Sequence, residues 1–162
     1  MAESNDIPLL PSHVVAERSH VVIPSLPNWI EPTVEFLRRK AVLGGVCEET
    51  RSGKLLIALH EAISNAILHG NRQNPRKLVT VRAFLNSTSW GVEISDQGEG
   101  FDWKMLLKKI KGPPDTESSS GRGIALIQAS GARLYFLSGG RRIIFVRKRA
   151  ASTKKEPGKL RN

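Results

Sequence analysis

From about Glu49 to His69 the chain reads as one long amphipathic helix that stops at Gly70-Asn71. Leu55, Leu56, Leu59, Ala62, Ile63 and Ala66 recur at helical spacing and make an apolar stripe along it. Such a stripe has to be buried against a second layer. The chain supplies that layer directly afterwards. Leu78–Leu85 places Val79, Val81, Ala83 and Leu85 on one face of a strand, and Trp90–Asp96 does the same with Trp90, Val92 and Ile94. Asn86-Ser87-Thr88-Ser89 joins the two as a turn. Arg133–Leu137 and Arg142–Val146 flank Gly139-Gly140, the signal of a second hairpin. Ahead of the long helix, His13–Ile23 predicts a strand that ends at Pro24. Asn28, with Glu31 three residues on, predicts a capped helix whose face is Ile30, Val34, Leu37 and Ala41 and whose end is Gly44-Gly45. Ile124–Ala129 predicts one more helix, entered through glycines. The expected fold is α+β, a two-layer α/β sandwich with helices on one face of a mainly antiparallel sheet.

A length of 162 residues suits one domain with a real core. The organisation expected is a flexible leader over residues 1–11, a folded domain over 12–149 and a basic, disordered tail over 150–162. The net charge of +10 points at first to nucleic acid. Its distribution argues against that reading. Residues 141–162 hold nine Lys+Arg and one Glu, while residues 1–140 hold 16 Lys+Arg against 14 Asp+Glu. The excess therefore belongs to a last strand and a tail, and direct nucleic-acid binding is not expected. The tail reads as solvated chain, or as a contact for an acidic partner or a nonspecific one for nucleic acid. No apolar run is long enough to cross a bilayer, and the first residues lack the pattern of a signal peptide. The single cysteine, Cys47, allows no internal disulfide. These features favour a cytoplasmic protein.

Three groups of residues carry chemistry. Glu61, Asn65 and His69 are spaced by four and share one face of the long helix. Read alone they make a solvated face, yet Ala58, Ala62, Ala66 and Leu68 suit the floor of a groove better. Asp96 falls on the face of Val92 and Ile94, which turns it toward the core at a strand end. An inward carboxylate needs a donor, either from the following turn or from a ligand. Gly98 and Gly100 allow close approach or a positive φ. Finally, Gly121-Arg122-Gly123-Ile124 enters a helix and offers backbone N–H groups and one guanidinium to an anion. The chain has no GxxxxGK[ST] loop, and no GxGxxG follows its first strand.

In combination, Glu61-Ala-Ile-Ser-Asn65-Ala-Ile-Leu-His69-Gly70, Asp96-Gln-Gly98-Glu-Gly100-Phe101 and Gly121-Arg122-Gly123-Ile124 resemble the N, G1 and G2 boxes of the GHKL ATPase superfamily, which includes gyrase and the histidine kinases. The resemblance covers about residues 12–149. Its nearest form is that of the bacterial anti-sigma-factor serine/threonine kinases. The resemblance implies a Bergerat fold that binds Mg-ATP. It implies that Asn65 coordinates Mg²⁺, that Glu61 is the general base, and that Asp96 accepts the adenine amine. Gly98 and Gly100 would border the base, Phe101–Ser120 would be the lid over ATP, and Gly121, Arg122, Gly123 and Ile124 would close on the phosphates. Lys104, Lys108, Lys109 and Lys111 on that lid suit either a triphosphate or solvent. One departure stands out: the threonine that many members carry in the last strand is absent from Gly140-Arg141-Arg142-Ile143.

The function so implied is phosphorylation of a serine on a small antagonist protein, combined with sequestration of a sigma factor. A homodimer is compatible with it. The alternative is a stand-alone ATP-binding regulatory module without kinase activity of its own. Glu61 separates the two, because a pure binding module needs no base at that position.

Overall fold

The computed structural model describes residues 17–44, 53–104 and 132–149. Five strands form one antiparallel sheet: β1 (Glu17–Pro24), β2 (Leu78–Leu85), β3 (Ser89–Ser95), β4 (Arg133–Leu137) and β5 (Arg142–Lys148). Their order across the sheet is β1-β2-β3-β5-β4, so β5 lies between β3 and its own hairpin partner. Two helices, α1 (Ile30–Leu43) and α2 (Gly53–Ser64), complete the described architecture. The fold is the α+β sandwich expected of a GHKL ATPase.

The alternation read from the sequence sets the core. Val79, Val81 and Ala83 of β2 and Trp90, Val92 and Ile94 of β3 are buried together with Leu37, Leu59 and Ile63 of the helices. Phe145 of β5 pairs with Val92 and meets the Trp90 ring edge-on, with centroids 6.1 Å apart. On the opposite face of the sheet a Cβ at Gly91 would collide with the Phe84 ring, its neighbour across the ladder. There the aromatic ring covers what the glycine leaves bare.

The Asn86 turn forms as read, and its mechanism is visible. The buried Asn86 Oδ1 accepts the N–H groups of Thr88 (2.9 Å) and Ser89 (2.6 Å). Two local expectations fail. Asn28 does not cap α1: it lies inside a 3₁₀ turn, Pro27–Trp29, and Trp29 takes the cap position with no side-chain hydrogen bond. Pro27 pre-sets φ for that turn and so overrides the capping box. Glu31 instead reaches the His60 ring of α2, at 3.1 Å. The second failure concerns α2. It does not run as a regular helix to His69 but changes at Asn65 into a π turn, Asn65–Gly70. The predicted helix Ile124–Ala129, and with it Gly121, Arg122, Gly123 and Ile124, lies outside the described residues, as do residues 105–120 of the expected lid.

Candidate functional site

The predicted polar residues lie on α2 (Glu61) and on the π turn that follows it (Asn65 and His69). Glu61 is half-buried, while Asn65 and His69 are exposed. Ala58, Ala62 and Ala66 lie within the core under the helix and are not an open groove floor. The π turn then carries the chain outward: the Asn71 N–H bonds to Ala66 O, five residues back, at 2.9 Å. Single π turns inside helices recur at functional sites.

Where that turn ends, it meets the end of β3. Asp96 is half-buried there, as its strand parity predicted. Its N–H donates to Arg141 O (3.0 Å), and its Oδ1 accepts the Gly98 N–H (2.7 Å). Glycines make this approach feasible. A Cβ on Gly70 would lie 2.5 Å from Asp96 Cγ, and one on Gly98 would lie 2.0 Å from Gly70 O. Gly70 and Gly98 thus pack against each other and against the carboxylate. Burial pushes the Asp96 carboxyl above the ordinary aspartate range, while the Gly98 N–H and the charges of Arg141 and Lys77 pull against it. No side-chain donor among the described residues reaches that carboxylate. The site can therefore accept a hydrogen bond from a ligand at Asp96.

Gly100 differs from Gly98. It has φ of 83°, and a Cβ there would meet Gly139 O at 2.1 Å. Phe101 follows with its N–H on Gly139 O (3.0 Å) and its ring edge-on to Phe136, centroids 5.7 Å apart. Trp103 stacks on the same Phe136 ring at 5.4 Å. The segment after Asp96 is therefore anchored on the turn between β4 and β5. Asp96, Gly98, Gly100 and Phe101 are placed by this frame, while Glu61 and Asn65 lie on the helical segment that ends at Gly70.

Sequence reasoning missed three residues at this end of the sheet. Arg141 faces Asp96 through its backbone, holds its own side chain on Ser138 O (Nε, 3.0 Å), and stands where a last-strand hydroxyl was sought. Gln97 folds back so that its Oε1 accepts the Leu78 N–H at 2.8 Å. Asn71, read only as a helix stop, is buried with 1% exposure and bonds to three separate segments. Only its position after Gly70 hinted at a role, since the hydrogen bonds it makes are distant in sequence.

The motifs implied a helix face with Glu61 and Asn65 beside an inward aspartate; the described residues put that aspartate against Gly70 and Gly98, where the π turn ends. A model of the histidine kinase-like ATPase domain matches residues 23–146. The chain belongs to this family. No match to a curated protein was found. As a histidine kinase-like ATPase domain, the chain is an ATP-binding module of the kind that supports phosphotransfer or ATP hydrolysis. Among the described residues no group of three or more His, Cys, Asp or Glu is arranged to hold a metal, and none is long and apolar enough as a helix to cross a membrane.

Proposed function

We propose that this histidine kinase-like ATPase domain is an anti-sigma-factor-type serine/threonine kinase that uses Mg-ATP. Its substrate would be a serine hydroxyl on a small antagonist protein, and its second partner a sigma factor held in the cytoplasm. The observation that carries the proposal is Glu61: a half-buried carboxylate one turn before the exposed Asn65, on the helix that leads to Asp96.

The residues present fit an adenine nucleotide. The Asp96 carboxylate is partly desolvated and lacks a side-chain donor among the described residues, and the adenine amine provides one. Gly70 and Gly98 pack directly against each other and against the carboxylate, which fixes where Asp96 stands for a base that approaches beside them. When bound, Mg-ATP supplies the phosphoryl group and the charge that neutralises its oxygens. Asn65 offers a single carboxamide oxygen to the metal, which suits an ion that keeps most of its waters. Glu61 takes the proton of the serine hydroxyl as that oxygen attacks the γ-phosphorus and the bond to the ADP oxygen breaks. Gly121, Arg122 and Gly123 would close on the phosphates from outside the described residues.

Two substitutions test these roles. Glu61→Ala should leave ATP affinity within about threefold of wild type and slow transfer to the antagonist serine by about 100-fold or more. Normal transfer by that variant would remove Glu61 as the base and favour a stand-alone ATP-binding regulatory module. Asn65→Ala should abolish the part of ATP affinity that depends on Mg²⁺, read by titration with and without the metal. A pull-down from native cytoplasm with and without ATP should recover a sigma factor or a serine-bearing antagonist.

A further inference from the structure

The adenine contact proposed above depends on where Asp96 points, and the hydrogen bonds beneath it trace to one side chain. β3 ends at Ser95, and the Asp96 N–H is still held by the neighbouring strand through Arg141 O. One residue later the sheet no longer supplies a partner. The Gln97 N–H donates instead to Asn71 Oδ1, at 2.7 Å. Asn71 is itself immobilised. Its Nδ2 donates to Ser25 Oγ (2.7 Å) and to Leu78 O (3.0 Å), and its backbone N–H closes the π turn on Ala66 O. Ser25 Oγ passes its own hydrogen to Lys77 O at 2.8 Å. Both amide hydrogens and the carbonyl oxygen of the Asn71 side chain are used, each on a different segment.

We infer that Asn71 is the positioning residue for Asp96, fixing the Asp96–Gly98 turn and Gly70 against each other so that the carboxylate meets the base amine. The inference rests on the adenine reading of Asp96. Its physical basis is that one buried, fully satisfied amide holds both partners of the Gly70–Gly98 contact beside Asp96. Gly70 precedes it directly in the chain, and the Gly98 turn hangs from its Oδ1. Networks of this kind specify a single geometry because any displacement strands a buried polar atom. A hydrogen bond to the base tolerates only a few tenths of an ångström of such displacement. No other side chain among the described residues bonds to the Gln97 N–H.

The test compares ATP with inosine triphosphate, which carries a carbonyl oxygen where adenine carries the amine. Binding of each to the full chain is measured by titration, alongside the thermal midpoint. Wild type should prefer ATP by about tenfold or more, the worth of one hydrogen bond to a charged group. Asn71→Ala, with Asn71→Ser as the variant that leaves the smaller cavity, should bring the preference to within about threefold. Ser25→Ala breaks the same network on the side away from Gln97, and it should lower the midpoint yet keep the tenfold preference. A merely structural Asn71 would weaken both nucleotides equally. Retention of the preference in both Asn71 variants would overturn the inference alone, and so would its equal loss in Ser25→Ala. Absence of any preference in wild type would overturn the adenine contact of Asp96 and the inference with it.

Discussion

Asp96→Asn should lower ATP affinity by about 100-fold or more while leaving the empty protein as stable as wild type, or slightly more so. The two halves of this expectation have one cause. Burial raises the folded-state pKa of Asp96, so the fold disfavours the ionised carboxylate. In the window between the unfolded and the raised folded pKa, the folded state binds more protons than the unfolded one. Stability therefore falls as pH rises through that window, and the destabilisation is fully present above the raised pKa. Asparagine removes the charge, and its own Oδ1 still accepts the Gly98 N–H that Asp96 holds at 2.7 Å. The thermal midpoint of the empty variant should rise, by about 2 °C for each half to one kcal/mol relieved. Binding responds in the opposite sense. The adenine amine donates to an ionised acceptor, and asparagine presents an N–H₂ in its place. For the same reason ATP affinity of wild type should weaken as pH falls through the raised pKa. Unchanged ATP affinity in Asp96→Asn, or a midpoint far below wild type, would contradict this account.

Gly98→Ala should be severely damaging for a single added methyl group. The new Cβ would lie 2.0 Å from Gly70 O and 2.9 Å from Asp96 Oδ1. The first of these is a backbone atom at the end of the π turn, which cannot rotate away as a side-chain tip would. Either the π turn withdraws from the end of β3 or the Asp96–Gly98 turn lifts off the Asn71 amide, and both displace the Asp96 carboxylate. Overpacking of this kind costs about 1–3 kcal/mol, which lowers the midpoint by about 2–12 °C. ATP binding should become undetectable, because the displaced groups are the ones that meet the base. Gly53→Ala provides the comparison. A Cβ there meets nothing within 4 Å, and the substitution should leave stability within about 0.5 kcal/mol and binding unchanged. Equal behaviour of the two variants in circular-dichroism melts and ATP titration would show that the Gly70–Gly98 contact has no part in the site.

Much of this frame was legible in the sequence because its causes are local. The period of two placed Val92, Ile94 and Asp96 on one face, and the ladder pairing of Ile94 with Val81 and Ile143 bears this out. The 3.6-residue stripe placed Glu61, on α2, and Asn65, on the π turn that follows, away from the buried face. What escaped has non-local causes. The π turn depends on a bond between Asn71 and Ala66, and six residues are too few to show a change of helical period. Asn71 looked like a terminator because its partners, Ser25, Leu78 and Gln97, come together only when the sheet has formed. Asn28 failed as a cap because Pro27 had already committed the backbone to a 3₁₀ turn. Arg141 could not be placed by searching for a hydroxyl, since it serves Asp96 through its carbonyl oxygen and its charge.

In the proposed reading ATP seats its base against Asp96, beside the contact of Gly70 with Gly98. The most direct measurement is a ¹H–¹⁵N NMR titration of the full chain with a non-hydrolysable Mg-ATP analogue. The account predicts that the largest amide shifts fall on Asn65–Gly70, on Asp96–Gly100 and on Gly139–Arg141, with little change at His20, Arg82 and Glu93 on the far face of the sheet. Shifts centred on that far face, with Gly70 and Gly98 unmoved, would contradict it.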